Sequence, residues 1–553
     1  MTEFETAQEA FARWAESDPD RPFMHQPVDG EVQTWTRAAT LDGARRLATA
    51  LRGLGLEPGE KVAILSKNCA EWVISDLAIS MAGLISVPIF PTAGGETIAY
   101  VLADSDARAI IIGRLDDPGA AEAVGDSIAT ISMQYPAIEC QHDWNELIEG
   151  AEPIEDWHAP AAEDVMTILY TSGSTGRPKG VVISYGAYVY ASNTTLGTVG
   201  MTANDRLLSY LPLAHITERT VVAGPALYTG ATLYFTESLE TFPADLQRAQ
   251  VTLFLSVPRL WTRFQSGIHQ QIPPKRLSLL LKIPVVRGLI ARKIRRALGL
   301  DNSRLFGSGT APISIGTLHW YERLGIKIRE GWGMSETCGL SCTNTPFRKS
   351  RLGTIGAPIP GTEMKISDEG EILVRSPGLF SEYHNLPELT AEAFTEDGFF
   401  RTGDRAQWDE TLEAFTITGR VKDIFKSAKG KYVAPVPIES KLAANPLVEQ
   451  VCVMGAGLRA PVAVVVLSAA AEPSSRDEIE TSLRSTLKEV NAGLESHERM
   501  SHVFIAQEEW SIENGLLTPT LKFKRDLIED RYAERIAELG ADSLVWAAAS
   551  GQG

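Results

Sequence analysis

Basic residues are in the minority in this chain: 52 Lys and Arg face 70 Asp and Glu over 553 residues, a formal net charge of -18. That balance excludes a general nucleic-acid binder, which needs a cationic footprint to displace phosphate counterions. Cysteine is also scarce. The five, Cys69, Cys140, Cys338, Cys342 and Cys452, include no CxxC pair. Cys338 and Cys342 lack the second pair or nearby His that would complete a zinc set. Scattered and odd in number, all five are expected to be small buried hydrophobes in a reducing compartment. The leading Met-Thr-Glu-Phe-Glu-Thr has neither the basic flank nor the apolar core of a secretion signal. The longest early uncharged run, Leu77 to Gly95, reaches membrane-spanning length, but Gly83, Pro88, Pro91, Gly94 and Gly95 break it. A buried helix running into a strand and a turn is the expectation, and the protein is read as soluble and cytoplasmic.

What is present is an ordinary globular balance, 44% hydrophobic and 22% charged, on a chain too long for one compact core, so two or more domains are expected. Through the first 160 residues helical and strand-like patterns alternate. Leu41, Ala44, Leu47, Ala48, Leu51 and Leu54 fall at helical spacing within Thr40 to Leu54, and Lys61-Val-Ala-Ile-Leu reads as a buried strand. A helix over Glu71 to Gly83, a strand over Ser86-Val-Pro-Ile-Phe and another over Arg108 to Ile112 follow. Such alternation predicts an α/β class with substantial parallel sheet. From Arg351 to Arg420 short runs broken by Gly, Pro and Asp predict a small antiparallel sheet or barrel. The expected organisation is a large domain over 1–418, made of α/β subdomains and that small β-barrel-like part, and a smaller mobile α+β domain over 419–553.

The chemistry concentrates in Tyr170-Thr-Ser-Gly-Ser-Thr-Gly-Arg-Pro-Lys-Gly180, flanked by the strand-like runs Val165 to Tyr170 and Val181 to Ser184. Glycines let successive backbone N–H groups converge on an anion, and hydroxyls add donors, so this reads as a phosphate-binding loop. Its order of residues is not that of a Walker A loop. A flexible Gly/Ser connector is the alternative, but a connector rarely sits between two apolar runs and carries Pro178 and Lys179.

Six further segments follow it along the chain: Leu211-Pro-Leu-Ala-His-Ile-Thr-Glu-Arg219, Gly307-Ser-Gly-Thr-Ala-Pro312, Gly331-Trp-Gly-Met-Ser-Glu336, Arg401-Thr-Gly-Asp404, Gly419-Arg-Val-Lys-Asp423 and Thr518-Pro-Thr-Leu-Lys-Phe-Lys-Arg525. In content and order, over nearly the whole chain, the seven resemble the signature segments of the adenylate-forming superfamily of acyl-CoA synthetases, luciferases and peptide-synthetase adenylation domains. Within it the Leu211 and Thr518 segments look most like those of long-chain fatty acyl-CoA synthetases.

The resemblance implies roles residue by residue. Thr171, Ser172, Gly173, Ser174, Thr175, Gly176 and Lys179 would cradle the β- and γ-phosphates of ATP. Glu336 would bind Mg²⁺, which prefers hard oxygen ligands shared with phosphate, and Ser335 would touch the α-phosphate. Gly309, Thr310, Ala311 and Pro312, with Gly331, Trp332 and Gly333, would wall the adenine and acyl sites. Relatives carry Tyr and Thr where this chain has Trp332 and Ser335, so the phenol contact is lost although stacking is kept. Asp404 would accept from both ribose hydroxyls, with Arg420 as a further partner of the nucleotide. His215 would lie near the substrate carboxylate and the thiol tunnel. Lys522 would bridge the acyl carboxylate and the α-phosphate. Lys422 marks the hinge, and Lys426, Lys429 and Gly430 belong to the thiol-transfer step.

Together these imply an acid–thiol ligase using ATP, Mg²⁺ and CoA on a fatty acid, long-chain by the two segments named above. The alternatives are transfer to a carrier-protein thiol or another acceptor, and a non-catalytic acyl- or nucleotide-binding protein. Between Asp245 and Asp301 no acidic residue occurs against eleven Lys or Arg. Residues 275–300 therefore suit peripheral contact with an anionic membrane, attraction of CoA phosphates, or a plainly solvated helix face. Oligomeric state is not legible.

Overall fold

The computed structural model of the chain describes residues 4–125, 127–133, 139–171, 177–428, 430–468, 471–472, 474–512, 514–518, 522–540 and 542–547. The described residues form six β-sheets. The largest has eight strands, in the order Glu382–Tyr383, Lys179–Ser184, Val165–Thr171, Ile85–Ile89, Lys61–Leu65, Ala107–Ile112, Ala129–Ser132 and His142–Asp143. Its middle is parallel, and the Val165–Thr171/Lys179–Ser184 pair is an antiparallel hairpin. The central strand shows why an unbroken apolar run is needed. Val62 and Ile64 enter one core with the helix Ala70–Met81, while Ala63 and Leu65 enter a second core with the helix Gly95–Ser105. A sheet covered on both faces has no polar side to alternate with. Each Val, Leu or Ile side chain fully buried there contributes roughly 1.5–3 kcal/mol.

A five-stranded sheet follows, Leu253–Ser256, Leu305–Ser308, Ile328–Met334, Gly339–Thr343 and Ala357–Pro358, parallel across its first three strands. The expected barrel-like part is an open antiparallel sheet of four strands, Glu363–Ile366, Glu371–Arg375, Phe400–Asp409 and Ala414–Arg420. It is joined to the five-stranded sheet by the Gly356–Phe415 bridge. Beyond Arg420 the chain builds a separate core. Strands Val448–Met454, Val462–Leu467, His502–Ala506 and Leu544–Trp546 form a mixed sheet. The helix Arg476–Ala492 packs Ile479, Leu483, Leu487 and Val490 on one face, and Arg525–Ala537 packs Ile528, Tyr532 and Ile536 on the other. The α/β class and the large-plus-small arrangement are those expected.

Helix limits shift where capping decides them. The helix expected over 40–54 runs Arg37–Gly53, because the Thr36 hydroxyl accepts from the Ala39 N–H and starts it earlier. The uncharged run is indeed a helix to Met81, a turn at Gly83 and the strand Ile85–Ile89. Among the described residues no helix is long and apolar enough to cross a membrane. Cys69, Cys338, Cys342 and Cys452 are buried, while Cys140 is only half-buried, a departure from five fully buried thiols. It precedes the edge strand His142–Asp143 and packs against the rim of the core that holds Ala63 and Leu65.

Candidate active site

One continuous cavity of about 3130 Å³ lies where the eight-stranded, five-stranded and C-terminal sheets meet. Thr171, Lys179, His215, Gly309, Thr310, Ala311, Pro312, Gly331, Trp332, Gly333, Ser335, Glu336, Asp404, Arg420, Lys422 and Lys522 all line it. Seven segments scattered over 350 residues of sequence thus converge on one space. Ser172, Gly173, Ser174, Thr175, Gly176 and Lys429 lie outside the described residues. Lys426 and Gly430 are exposed and do not line the cavity. Lys426 instead holds its ammonium 5.7 Å from the Tyr432 ring.

Backbone geometry explains the glycines. Gly331 and Gly333 sit on the strand Ile328–Met334, and a Cβ on Gly333 would lie 1.6 Å from the Gly339 carbonyl oxygen, so no other residue fits. A Cβ on Gly309 would press on the Gly331 carbonyl at 3.1 Å. The next residue, Thr310, adopts a φ of 69°, a left-handed conformation costly for a branched side chain.

Asp404 and Arg420 face each other across the Phe400–Asp409/Ala414–Arg420 pair, with Arg420 Nε 3.1 Å from Asp404 Oδ1. The other carboxylate oxygen accepts from the Trp332 indole N–H at 2.9 Å. Trp332 thus supplies a donor that orients the carboxylate, a bond the sequence did not suggest. Each oxygen keeps a second lone pair for an incoming hydroxyl.

Glu336 has a partner that the sequence did not suggest. Tyr383 donates its phenol proton to Glu336 Oε1 at 2.9 Å, and the Lys179 ammonium lies 5.5 Å from the Tyr383 ring centre. Burial and the Glu336 charge push the Tyr383 phenol well above its usual range, so it stays a donor. Tyr383 sits on a two-residue edge strand without a spacing relation to Glu336; pairing of that strand with Val181 brings it in. Burial and the Lys422 charge lower the Lys179 pKa, and Glu336 opposes them.

Lys522 enters from the segment just before the helix Arg525–Ala537, and its exposed side chain lines the cavity. Burial and Arg420 lower its pKa, while Asp404 and Glu336 favour the charged form. Its position is fixed three residues later by Arg525. That guanidinium donates to both oxygens of Glu439, at 2.8 and 3.1 Å, and to the Val453 carbonyl at 3.1 Å. Arg259 of the large domain pairs with Glu509, and with Glu449 at 3.7 Å, both beyond Arg420.

His215 accepts from the Thr217 N–H at Nδ1, 3.2 Å, which leaves the proton on Nε2. Burial, then the Lys522 charge, depress its pKa to about 3, so the ring is neutral throughout the physiological range. Asn68 braces this loop, donating to the Leu211 carbonyl at 2.7 Å and accepting from the Leu213 N–H at 2.9 Å.

Behind His215 lies Glu218, 1% exposed, with Oε1 lacking a hydrogen-bond partner among the described residues. Burial raises its pKa from 4.5 to about 8, against the Ser209 hydroxyl and the Tyr210 backbone, which lower it. The folded carboxyl keeps its proton while the unfolded one releases it, so stability falls as pH rises from about 4.5 to about 8 and is level outside that window. Glu218→Gln should remove this loss. Its Tm should match the parent near pH 4.5 and exceed it by on the order of 2 °C at pH 8. An equal difference at both pH values would contradict the assignment.

The donor set around Glu336 fits a magnesium ion carried in by polyphosphate. Among the described residues no group of three His, Cys, Asp or Glu could enclose a metal by itself. A single carboxylate with one oxygen held by Tyr383 suits an ion that takes its remaining ligands from phosphate and water.

Comparison with known proteins gives the family and the fold. The family model for AMP-binding enzymes matches residues 11–384, and that for the AMP-binding enzyme C-terminal domain matches 422–543. The long-chain-fatty-acid–CoA ligase FadD15 of Mycobacterium bovis is 30% identical, over 94% of this chain and 94% of that protein. The adenylation domain of a carboxylate reductase from Mycobacterium chelonae superposes with a TM-score of 0.83 at 23% identity, covering 97% of this chain and 91% of its own. An anthranilate CoA ligase solved with anthranoyl-AMP gives 0.80 at 21% identity, covering 97% and 99%. At these identities the two structures speak for the fold.

Proposed function

We infer, starting from the fact that this chain belongs to the AMP-binding enzyme family, that it joins a long-chain fatty acid to the thiol of CoA by way of an acyl-adenylate. The observation that carries this reading is Lys522, delivered from the C-terminal domain into a cavity already lined by Lys179, Glu336, Asp404 and Arg420. In the first step a carboxylate oxygen attacks the α-phosphorus of ATP and pyrophosphate leaves. Two anions must meet there, and a fixed cation between them lowers the barrier. Lys179 holds the departing phosphates, Asp404 the ribose, and the Gly309–Pro312 segment the adenine. His215, neutral and with its proton on Nε2, can donate to the carboxylate without adding charge. Mg²⁺, when bound at Glu336, neutralises phosphate charge.

In the second step the CoA sulfur attacks the acyl carbonyl and AMP leaves with the oxygen that came from the acid. Lys522 occupies the cavity while Lys426 and Gly430 lie outside it, which suits the arrangement for adenylation. Rotation of residues 419–553 about Lys422 would exchange the two sets for thiol transfer. The FadD15 likeness over nearly its full length supports CoA as acceptor and a long-chain acid as substrate. The carboxylate reductase likeness keeps a carrier thiol as the second reading. A peripheral contact with membrane through residues 275–300 would place the protein where such acids are found.

The test is product analysis with acids of graded chain length, ATP and either CoA or a phosphopantetheinyl carrier. Acyl-CoA and AMP, with turnover peaking at long chains, are expected; turnover with the carrier alone would transfer the reading to the second acceptor. For Tyr383→Phe, the half-saturating Mg²⁺ concentration should rise about tenfold, the weight of one hydrogen bond to a charged group. Unchanged Mg²⁺ dependence would remove Tyr383 from this role.

A further inference from the structure

We propose that Arg329 closes the acyl-binding arm of the cavity with an anion site, and that the acid joined to CoA carries a second carboxylate at its far end. The proposal rests on the ligase reading above and names the class of acid that the ligase takes.

Alternation along the five-stranded sheet places Arg329. Phe254, Phe306 and Ile328 turn to one core, while Leu253 and Leu305 turn to the opposite one. Arg329 follows Ile328 and pairs with Gly307, so it shares the face of Leu253 and Leu305. Gly331 is on that face too, about 7 Å further along the strand. Arg329 stands at the start of the strand Ile328–Met334, and Glu336 lies past its end, so the guanidinium belongs to the part of the cavity remote from the phosphate site. The lining there includes Val199, Met201, Leu207, Val222, Leu253 and Leu305 beside Arg329. A hydrocarbon wall suits an acyl chain. A cation at its end does not suit a chain that finishes in a methyl group.

The guanidinium is an orphan among the described residues. Arg329 is half-buried, and its Nε is sealed from solvent without a hydrogen-bond partner. The nearby acids are committed elsewhere. Asp205 accepts from Arg304 at 2.7 and 3.2 Å and from the Thr252 hydroxyl at 2.7 Å. Glu330, on the opposite face, accepts from the Gly353 N–H at 2.8 Å. Burial lowers the Arg329 pKa, and the charge of Arg304 lowers it further. Arg304 is itself fixed at this wall by the Val199 and Gly200 carbonyls, at 3.2 and 2.6 Å. Two other arginines that line the cavity have their counter-ions: Arg420 has Asp404, and Arg259 has Glu509 and Glu449.

A guanidinium half-buried without a counter-ion is costly, and one aimed along an apolar channel needs an anion brought in from outside. Its planar fork matches a carboxylate through two parallel bonds. A carboxylate on the end of the acyl chain meets both needs at once. A methyl end would desolvate the cation and pair it with nothing.

The experiment measures binding to the full chain by calorimetry with three probes of equal length. They are an α,ω-dicarboxylic acid, its monomethyl ester and the plain monocarboxylic acid, each taken through a series of lengths. At its best length the diacid should bind about 10–10²-fold tighter than the other two, the weight of hydrogen bonds between charged groups. Arg329→Met keeps much of the volume and loses the charge, and should abolish this advantage. Arg329→Lys should keep part of it. The order of kcat/KM for acyl-CoA formation should follow the order of binding. Calorimetry needs no turnover, so the two readings fail separately: tighter diacid binding with no acyl-CoA from any acid would overturn the ligase reading and leave the anion site assigned. Equal binding of the three probes by the parent at every length would overturn the site, as would a diacid advantage that survives in Arg329→Met.

Discussion

Replacing Lys522 by Ala is expected to slow acyl-adenylate formation by roughly 10²–10³-fold, the scale of removing one fixed charge-stabilising donor from a transition state. Pyrophosphate exchange into ATP measures that step alone. Transfer of a supplied acyl-adenylate to CoA should be nearly unaffected if, as proposed, the second step uses a different face of residues 419–553. A comparable loss in both steps would point to collapse of the loop. The companion variant Arg525→Ala separates these cases: it leaves the ammonium present but releases the Glu439 anchor, so it should lower exchange while Lys522 remains. Selective loss of thiol transfer in Lys522→Ala would reverse the assignment.

Asp404→Ala should have the second largest effect, a rise of about 10–10²-fold in KM for ATP with a smaller fall in kcat. The carboxylate is 7% exposed and accepts from Trp332 and Arg420. Its loss removes the acceptor proposed for the ribose and also leaves an indole N–H and a guanidinium without this partner. Hydrogen bonds to a charged group are worth about 1.5–3 kcal/mol each. Asp404→Asn retains an acceptor for one of the two donors and should fall between parent and Ala. Equilibrium binding of AMP by calorimetry checks the series. Equal AMP affinity in all three would mean that Asp404 serves only the strand pair.

The sequence was most informative where chemistry needs small or charged residues close to backbone. Gly333 and Gly309 are legible because a side chain there would meet the Gly339 and Gly331 carbonyls. The strand Lys61–Leu65 is legible because a doubly covered sheet demands an apolar run. Tyr383 was not legible: its partner Glu336 is supplied by a strand pairing that no local pattern encodes. The Trp332–Asp404 bond was missed for a related reason. Seen alone, Trp332 is a tyrosine replacement that loses a hydroxyl; only the cross-strand placement of Asp404 shows where its N–H goes. Glu218 and His215 stood in one apolar motif, yet their opposite pKa shifts depend on burial around each. The basic stretch before Asp301 was visible as charge, but the exposed Leu279–Leu289 cluster needed the fold to reveal it.

The most direct test follows oxygen. With the substrate carboxylate labelled in both oxygens by ¹⁸O, one labelled oxygen should appear in AMP and the other should stay in the acyl thioester. That outcome requires a bond between the acid and the α-phosphorus, as attack beside Lys522 demands. Unlabelled AMP, with the label retained in the acyl product or found in inorganic phosphate, would contradict the acyl-adenylate at the centre of this account.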